Sequence, residues 1–322
     1  GLALLGRSLH RPDLLLLGLA AALLHVANHS LFKSLLFLIA GAITHATGTR
    51  RMDQLGGLAR CMPRVTSMFV VGAIAICALP PLNGFTGEWL LYLGLFTTLS
   101  GAAAQPLAAA AAVALALTGA LALACFVQFF GMVFLGVARD SRDRRAGDPP
   151  VAMFVPMALL TGGCIILGLL PAVTSPWLER ATQAWSGAPA VLRLTDLAPL
   201  AWTGAVGACL CLLAALVVIA LQLLPRVRQA RAALTWDCGY AQPTPRMQYT
   251  ASSFGRSLSG LFAFFLWPRF RWPQVRGLFP APAHFRSFLP DLVLDRWLLP
   301  ALHAAGRVIP WVRVFQGGHT QI

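Results

Sequence analysis

The chain has 322 residues, of which 57% are apolar and only 11% charged, and its mean hydropathy is +0.71. These values lie outside the usual range of soluble domains, so they exclude a soluble globular protein and predict one that spans a membrane. The net charge of +14 does not indicate nucleic-acid binding, because the arginines are spread over loops and tail rather than gathered in a compact basic fold.

Five apolar stretches are long enough to cross a bilayer as helices, since a crossing takes about 20 residues. They cover residues 14–44, 65–99, 107–137, 151–170 and 200–224. The second stretch is interrupted by PPLNG at residues 80–84, which predicts a broken helix. The sequence therefore predicts an all-α, polytopic transmembrane helical bundle over residues 1–224. Residues 225–322, rich in arginine and aromatic side chains, are predicted to form a cytoplasmic or interfacial tail.

Arginines indicate which loops face the cytoplasm, because short cytoplasmic loops are enriched in basic residues. Residues 46–64 and 138–150 contain four arginines each, whereas residues 101–106 contain no charged side chain. The tail begins with a further group of arginines. This pattern predicts a multi-pass protein of the cell inner (cytoplasmic) membrane, with the two arginine-rich loops and the tail in the cytoplasm.

The first span contains Lys33, the only lysine of the chain. His25, His29 and Lys33 follow one another at intervals of four residues, which places them on one stripe of a helix. A charged side chain at the bilayer centre costs at least about 2.5–3.5 kcal/mol on insertion scales, so ionisable residues there are functional by default. We therefore predict that these three residues, the ladder, handle protons. The alternative is a lysine that snorkels or neutralises a structural carboxylate, beside two histidines of the core.

The interruption of the second span combines Pro80 and Pro81 with Asn83 and Gly84, and Glu88 follows it. Proline removes a backbone donor and clashes with the preceding turn, so carbonyls before the break and amides after it should lack helical partners. At membrane depth such groups are tolerated only inside protein or beside water, which predicts that Glu88 lies in a hydrated pocket. In the alternative, the break is a loop between two short helices and Glu88 caps the second one.

His45 ends the first span, about 120° around the helix from Lys33. It either extends the proton path towards the cytoplasm or caps the helix. The seven cysteines show no CxxC spacing, so no iron–sulfur cluster, zinc site or disulfide framework is expected in this chain. No side chain is assigned a catalytic or metal-binding role.

Two long motifs carry a family resemblance. The run NHSLFKSLLFLIAGAITHATGTRRMDQLGGLARCMP, followed by LPPLNGFTGEWLLY, resembles the antiporter-like membrane subunits shared by respiratory complex I, multi-subunit Na+/H+ antiporters and membrane-bound nickel-iron hydrogenases. The resemblance implies that His25, His29, Lys33 and Glu88 belong to a chain of protonatable groups along the membrane midplane. In the tail, TWDCGYAQPTPRMQYTASSF at residues 235–254 resembles a stretch characteristic of the hydrogenase-4 component B family and the corresponding formate hydrogenlyase subunits.

The resemblance implies a membrane subunit of a nickel-iron hydrogenase complex that translocates protons, coupled to electron transfer in peripheral subunits. The chain itself would hold no cofactor, and a nickel-iron centre and iron–sulfur clusters are expected in partner subunits. The partners would be other membrane and peripheral subunits and the lipid bilayer, but no nucleic acid. Family members carry further helices before this region, so the chain is expected to be the C-terminal part of a longer subunit. The alternatives are a subunit of a cation/proton antiporter or of respiratory complex I, and a purely structural membrane anchor.

Overall fold

The computed structural model describes residues 1–100, 105–140, 143, 145–187, 192–224, 244–273, 277 and 285–312. The chain divides into two compact units, Gly1–Thr250 and Ala251–Ile322. The domain boundary expected after residue 224 stays a prediction. Of the tail motif at residues 235–254, the part before residue 244 lies outside the described residues.

The first unit is built from helices. They are α1 (Leu2–Ser8), α2 (Pro12–Thr47), α3 (Pro63–Ile76), α4 (Asn83–Leu99), α5 (Gln105–Phe129), α6 (Val151–Leu169), α7 (Ser175–Ser186), α8 (Leu194–Leu197) and α9 (Leu200–Leu223). Short 3-10 turns occur at Met52–Gln54, Leu58–Arg60, Pro171–Thr174 and Pro245–Met247, and a π turn at Phe130–Phe134 extends α5. In the part of the chain that is described, this unit contains no strand.

Four helices are long and apolar enough to cross a membrane: α2, α5 with its π turn, α6 and α9. They coincide with four of the five predicted spans. The remaining span is divided into α3 and α4, which meet at the predicted break. The prediction of an all-α, polytopic membrane protein is therefore confirmed, and the second predicted span is interrupted where its two prolines lie.

Local sequence explains where α2 begins and ends. Pro12 occupies the first turn, where its missing N–H has no helical partner to lose, and Asp13 adds a negative charge there. Gly48 ends the helix in a left-handed conformation with φ of 71°, and its N–H donates to the Thr44 carbonyl at 2.8 Å. Glycine adopts this conformation without a steric penalty, so the 36-residue helix stops there.

The long helix α2 lies at the centre of the first unit and packs against α3, α4 and α6. Near its C-terminal half, Leu35 and Ile39 share a core with Phe69, Phe134 and Met157. Near its N-terminal half, a second core is formed by Leu17, Ala21, Leu24, Leu90 and Leu200. Gln248, in the described part of the tail motif, is bound to the segment after α5. Its side chain accepts from the Val137 N–H at 3.1 Å and donates to the Val137 carbonyl at 3.3 Å.

The second unit combines short helices with a two-stranded sheet. Its elements are α10 (Ala251–Leu261), α11 (Ala263–Leu266), β1 (Arg269–Arg271), β2 (Arg286–Phe288), a π turn (Leu294–Leu298) and α12 (Leu299–Val312). The strands are antiparallel, and Arg269 pairs with Phe288, Phe270 with Ser287, and Arg271 with Arg286.

Candidate functional site

The ladder residues occupy one face of α2. The rings of His25 and His29 are neighbours, with centroids 5.7 Å apart, and His29 meets Phe32 edge-on with centroids 5.5 Å apart. The Lys33 Nζ atom lies 5.5 Å from the centroid of the Phe37 ring, which is the distance of a cation–π contact. The three residues thus follow one strip of α2, as a spacing of four in a helix requires, and their role in handling protons stays a prediction.

This stripe faces outwards from the described chain. His25, His29 and Lys33 are all exposed, whereas Asn28 and Phe32, on the adjacent strip of the same helix, are 1% and 2% exposed. In the part of the chain that is described, no carboxylate lies within 4.0 Å of the Lys33 ammonium. The sequence predicts how deep Lys33 lies along the span. It does not predict whether this chain buries the side chain, and the structure shows it exposed.

The residue of α2 that does point inwards is Asn28. Its amide donates to the Asn83 carbonyl at 2.7 Å, and the Asn83 side-chain amide donates back to Asn28 Oδ1 at 3.1 Å. Both asparagines are essentially fully buried. The pair joins the ladder helix to the first residue of α4, so it fixes the start of the broken helix beside the ladder. Sequence reasoning missed Asn28, although an amide in an apolar helix signals a hydrogen bond to another helix.

The break itself satisfies part of its own backbone. Ala78 adopts a left-handed conformation with φ of 50°, and the N–H groups of Ala78 and Leu79 donate to the carbonyls of Ala75 and Ile74, each at 3.1 Å. With the Asn83 carbonyl bound by Asn28, carbonyls on both sides of the break have partners. The expectation of free carbonyls before the break is therefore wrong at Ile74 and Ala75, because the left-handed Ala78 lets the following N–H groups cap the end of α3.

Two other helices approach the break through glycines. A Cβ atom at Gly168 of α6 would lie 2.5 Å from the Pro81 carbonyl oxygen, and one at Gly207 of α9 would lie 3.0 Å from the Pro81 Cβ. Beside them is a cavity of about 210 Å³, lined by residues of the break, α4, α6 and α9, among them Pro80, Pro81, Thr86, Trp89, Trp202 and Thr203. The indole N–H of Trp89 is buried and has no hydrogen-bond partner among the described residues. The break thus lies inside the protein. It borders the cavity and the buried Trp89 indole N–H, which has no partner among the described residues.

Glu88 lies one turn into α4 and is half-buried. The preceding residue, Gly87, faces the backbone of α2, with its ideal Cβ position 3.9 Å from the His25 N and Cα atoms. No ion pair connects Glu88 to the ladder within the described ranges. The structure brings the two helices that carry the predicted groups together, but it does not bring the Glu88 carboxylate into contact with Lys33.

His45 lines a cavity of about 630 Å³ near the C-terminal end of α2. The same cavity is lined by Thr44, Thr49 and Arg50, and by Phe37, the aromatic partner of Lys33. The cavity therefore extends from the residue next to Lys33 to the arginine-rich loop after α2. His45 lines this cavity and also lies in the last turn of α2, so its place on the proton path and its alternative role as a helix cap both stay predictions.

Among the described residues, no group of three or more His, Cys, Asp or Glu side chains lies close enough together to hold a metal ion. What the arrangement can do chemically is hold and pass protons. Histidine rings exchange protons near neutral pH, and a lysine ammonium removed from water can release one.

Comparison with known proteins shows which membrane proteins this chain is similar to. Residues 14–118 match the family described as NADH:quinone oxidoreductase/Mrp antiporter, transmembrane region. The chain is 37% identical to hydrogenase-4 component B and 36% identical to formate hydrogenlyase subunit 3, both from Escherichia coli K12, over 74% and 82% of its residues. These alignments cover 37% and 42% of the relatives, so the chain spans about two fifths of their length.

A solved structure shares the fold. A chain of the membrane-bound sulfane sulfur reductase, an archaeal respiratory membrane complex, superposes with a TM-score of 0.56 at 22% identity. The match covers 77% of the present chain and 40% of the other one. At this identity the similarity concerns the helical arrangement alone.

Proposed function

We propose that this chain, whose residues 14–118 match the NADH:quinone oxidoreductase/Mrp antiporter transmembrane family, is the proton-carrying membrane subunit of a nickel-iron hydrogenase complex. The proton path would run through His25, His29, Lys33 and Glu88, with His45 at its cytoplasmic end. Electron transfer in peripheral subunits would drive it. The nickel-iron centre and the iron–sulfur clusters would be held by those partner subunits in the inner membrane complex.

The observation that carries this proposal is the continuity of polar groups along α2. The two histidine rings are adjacent, Lys33 follows on the same face, and a cavity begins at Phe37 and reaches His45 and Arg50. Next to the ladder on α2, the Asn28–Asn83 pair binds the broken helix that carries Glu88. Protonatable groups are thus arranged along one helix and beside one break.

Each group has a distinct task in this mechanism. His25 and His29 relay a proton between neighbouring rings, aided by water, because each ring can accept a proton at one nitrogen and release one at the other. Lys33 alternates between a charged and a neutral form, and its charge is balanced by carboxylates that approach and lose protons in turn. Glu88 supplies such a carboxylate on the break, where movement of α4 against α2 would change its distance from the ladder.

The hydrogenase assignment is favoured over the other members of the family by the two relatives, whose names refer to hydrogenase-4 and formate hydrogenlyase. The alternative is a subunit of a cation/proton antiporter or of respiratory complex I without a hydrogenase partner. The metal content of the intact complex, purified in mild detergent, separates them. We expect nickel together with iron; iron without nickel would favour complex I, and neither metal a cation antiporter.

The proton path is tested by replacing Lys33 with Ala and, separately, with Arg in the full-length subunit. We expect both variants to lower proton translocation at least about tenfold while hydrogen production continues, since alanine cannot hold a proton and arginine cannot release one. Translocation is measured by a pH-sensitive dye in membrane vesicles supplied with the electron donor.

Ser34→Ala is the matched control, because Ser34 is the next residue of α2 and is also exposed. It should leave translocation unchanged. Normal translocation by an assembled Lys33→Ala complex would exclude Lys33 from the path. Sodium-dependent proton release without any electron donor would favour the antiporter alternative.

A further inference from the structure

The two-stranded sheet of the second unit has two chemically different faces. Alternate residues of a strand point to opposite sides, and the register pairs Arg269 with Phe288 and Arg271 with Arg286. Arg269, Arg271, Arg286 and Phe288 therefore share one face, which we call the arginine face. Phe270 and Ser287 lie on the other.

The second face is occupied by an arginine from α10. The Arg256 guanidinium lies 4.3 Å from the Trp272 ring centroid, 5.3 Å from that of Phe270 and 5.5 Å from that of Phe285. Trp272 and Phe285 are themselves packed, with centroids 4.9 Å apart. This cation–π cluster fixes α10 on the aromatic side of the sheet, so the arginine face points away from it.

Among the described residues of this unit, the arginine face has no counter-charge. Its four members are exposed, and in the described part of this unit no carboxylate lies within 4.0 Å of their guanidinium groups. The unit has eight arginines and two aspartates by sequence. Both aspartates serve the following helix: Asp291 accepts from the Val293 and Leu294 N–H groups, and Asp295 accepts from the Asp291 N–H.

Like charges directly opposite one another on a sheet destabilise it, and Arg271 and Arg286 are such a pair. An anion bound between them would remove this repulsion, and guanidinium groups bind phosphate in a bidentate manner. The chain itself crosses a membrane, so the phosphate groups of phospholipids are available as anions. Exposed aromatic side chains accompany the arginines, as is typical of the membrane–water interface: Phe288 is 57% exposed and Trp272 61%.

We propose that the arginine face of the β1–β2 sheet binds the phosphate headgroups of anionic phospholipids, with Phe288 entering the interface beside them. Arg269, Arg271 and Arg286 provide three guanidinium groups for the headgroups. This site is independent of the proton path. It would hold the second unit on the membrane surface, and its occupancy would depend on the anionic lipid content of the leaflet.

The test uses the full chain in two kinds of nanodisc. Neutral discs contain phosphatidylcholine alone, and anionic discs also contain about 30% phosphatidylglycerol. Hydrogen–deuterium exchange is followed for peptides that contain β1 and β2. We expect exchange there to slow in anionic discs only. The double variant Arg271→Gln/Arg286→Gln should abolish the difference, since each basic residue near an anionic surface strengthens binding by roughly fivefold.

The matched control is Arg307→Gln, which removes the same charge from α12 in the same unit and should keep the protection. Arg271→Lys/Arg286→Lys, which preserves the charge, should retain part of it, and separates loss of binding from loss of folding. Equal exchange in both kinds of disc would overturn the proposal. Protection by millimolar inorganic phosphate in neutral discs, or equal loss in Arg307→Gln, would overturn it as well.

Discussion

At the scale of single residues, the buried Asn28–Asn83 pair decides how the ladder helix meets the broken helix. Its two hydrogen bonds, at 2.7 and 3.1 Å, connect positions that are 55 residues apart. Polar pairs between membrane helices contribute about 0.6 kcal/mol on average and up to about 1.7. This pair belongs at the upper end, because both partners are buried and one bond satisfies a backbone carbonyl.

Replacing Asn28 with Ala should lower the free energy of unfolding in detergent by about 1–2 kcal/mol, since the Asn83 carbonyl and amide lose their partner. Ser30→Ala is the control, because the Ser30 hydroxyl is exposed and bonds only the Ala27 carbonyl of its own helix. Thermal unfolding monitored by circular dichroism measures both variants. Equal unfolding temperatures would show that the pair does not stabilise the junction.

At the scale of elements, the contact between α6 and the break depends on the absence of a side chain. Gly168 lies against backbone atoms of Pro81 and Leu82, which cannot move aside as a flexible side chain could. Close approach of helices through small residues is the usual packing mode in membranes. The same helix contains Gly162, whose surroundings are open.

This difference predicts opposite effects for one substitution at two positions of α6. Gly168→Ala should destabilise the protein by about 1–3 kcal/mol, because the new Cβ forces the helix away from the break. Gly162→Ala should be neutral or stabilise the protein by up to about 1 kcal/mol, since alanine has the higher helix propensity. Thermal melts of the two purified variants provide the comparison. A stable Gly168→Ala protein would mean that α6 does not pack closely on the break.

At the scale of the whole molecule, the ladder residues are exposed in this chain by itself, and we expect their exposure to be lower in an assembly. An uncompensated lysine facing lipid is costly, so protein or water is expected to cover Lys33 in the complete complex. Because Lys33 is the only lysine, the extent of its chemical modification can be measured without ambiguity from other side chains.

We expect an amine-reactive reagent to label Lys33 readily in the detergent-solubilised chain, and at least about tenfold more slowly in the intact complex, where the ammonium is covered. Peptide mass spectrometry of the Lys33 peptide measures both, with an added small amine as the internal standard for reagent activity. Equally fast labelling in the complex would show that this face stays open to water.

The sequence by itself determined the class of the protein, four of its spans as continuous helices and the position of its break. These features depend on local composition: runs of about 20 apolar residues form helices in a bilayer, and two adjacent prolines interrupt one. The four-residue spacing of His25, His29 and Lys33 likewise places them on one face, because the period of a helix is fixed.

Only the tertiary structure decided which side of each helix faces protein. The apolar residues of α2 occur on every face of the helix. Hydrophobic periodicity therefore does not distinguish its inner face from its outer one. Asn28 and Lys33 are both polar residues of one helix, yet the first is buried against α4 and the second is exposed. That difference, the glycine contacts around the break and the arginine face of the sheet arise from contacts between distant segments, which the pattern within a single segment does not encode.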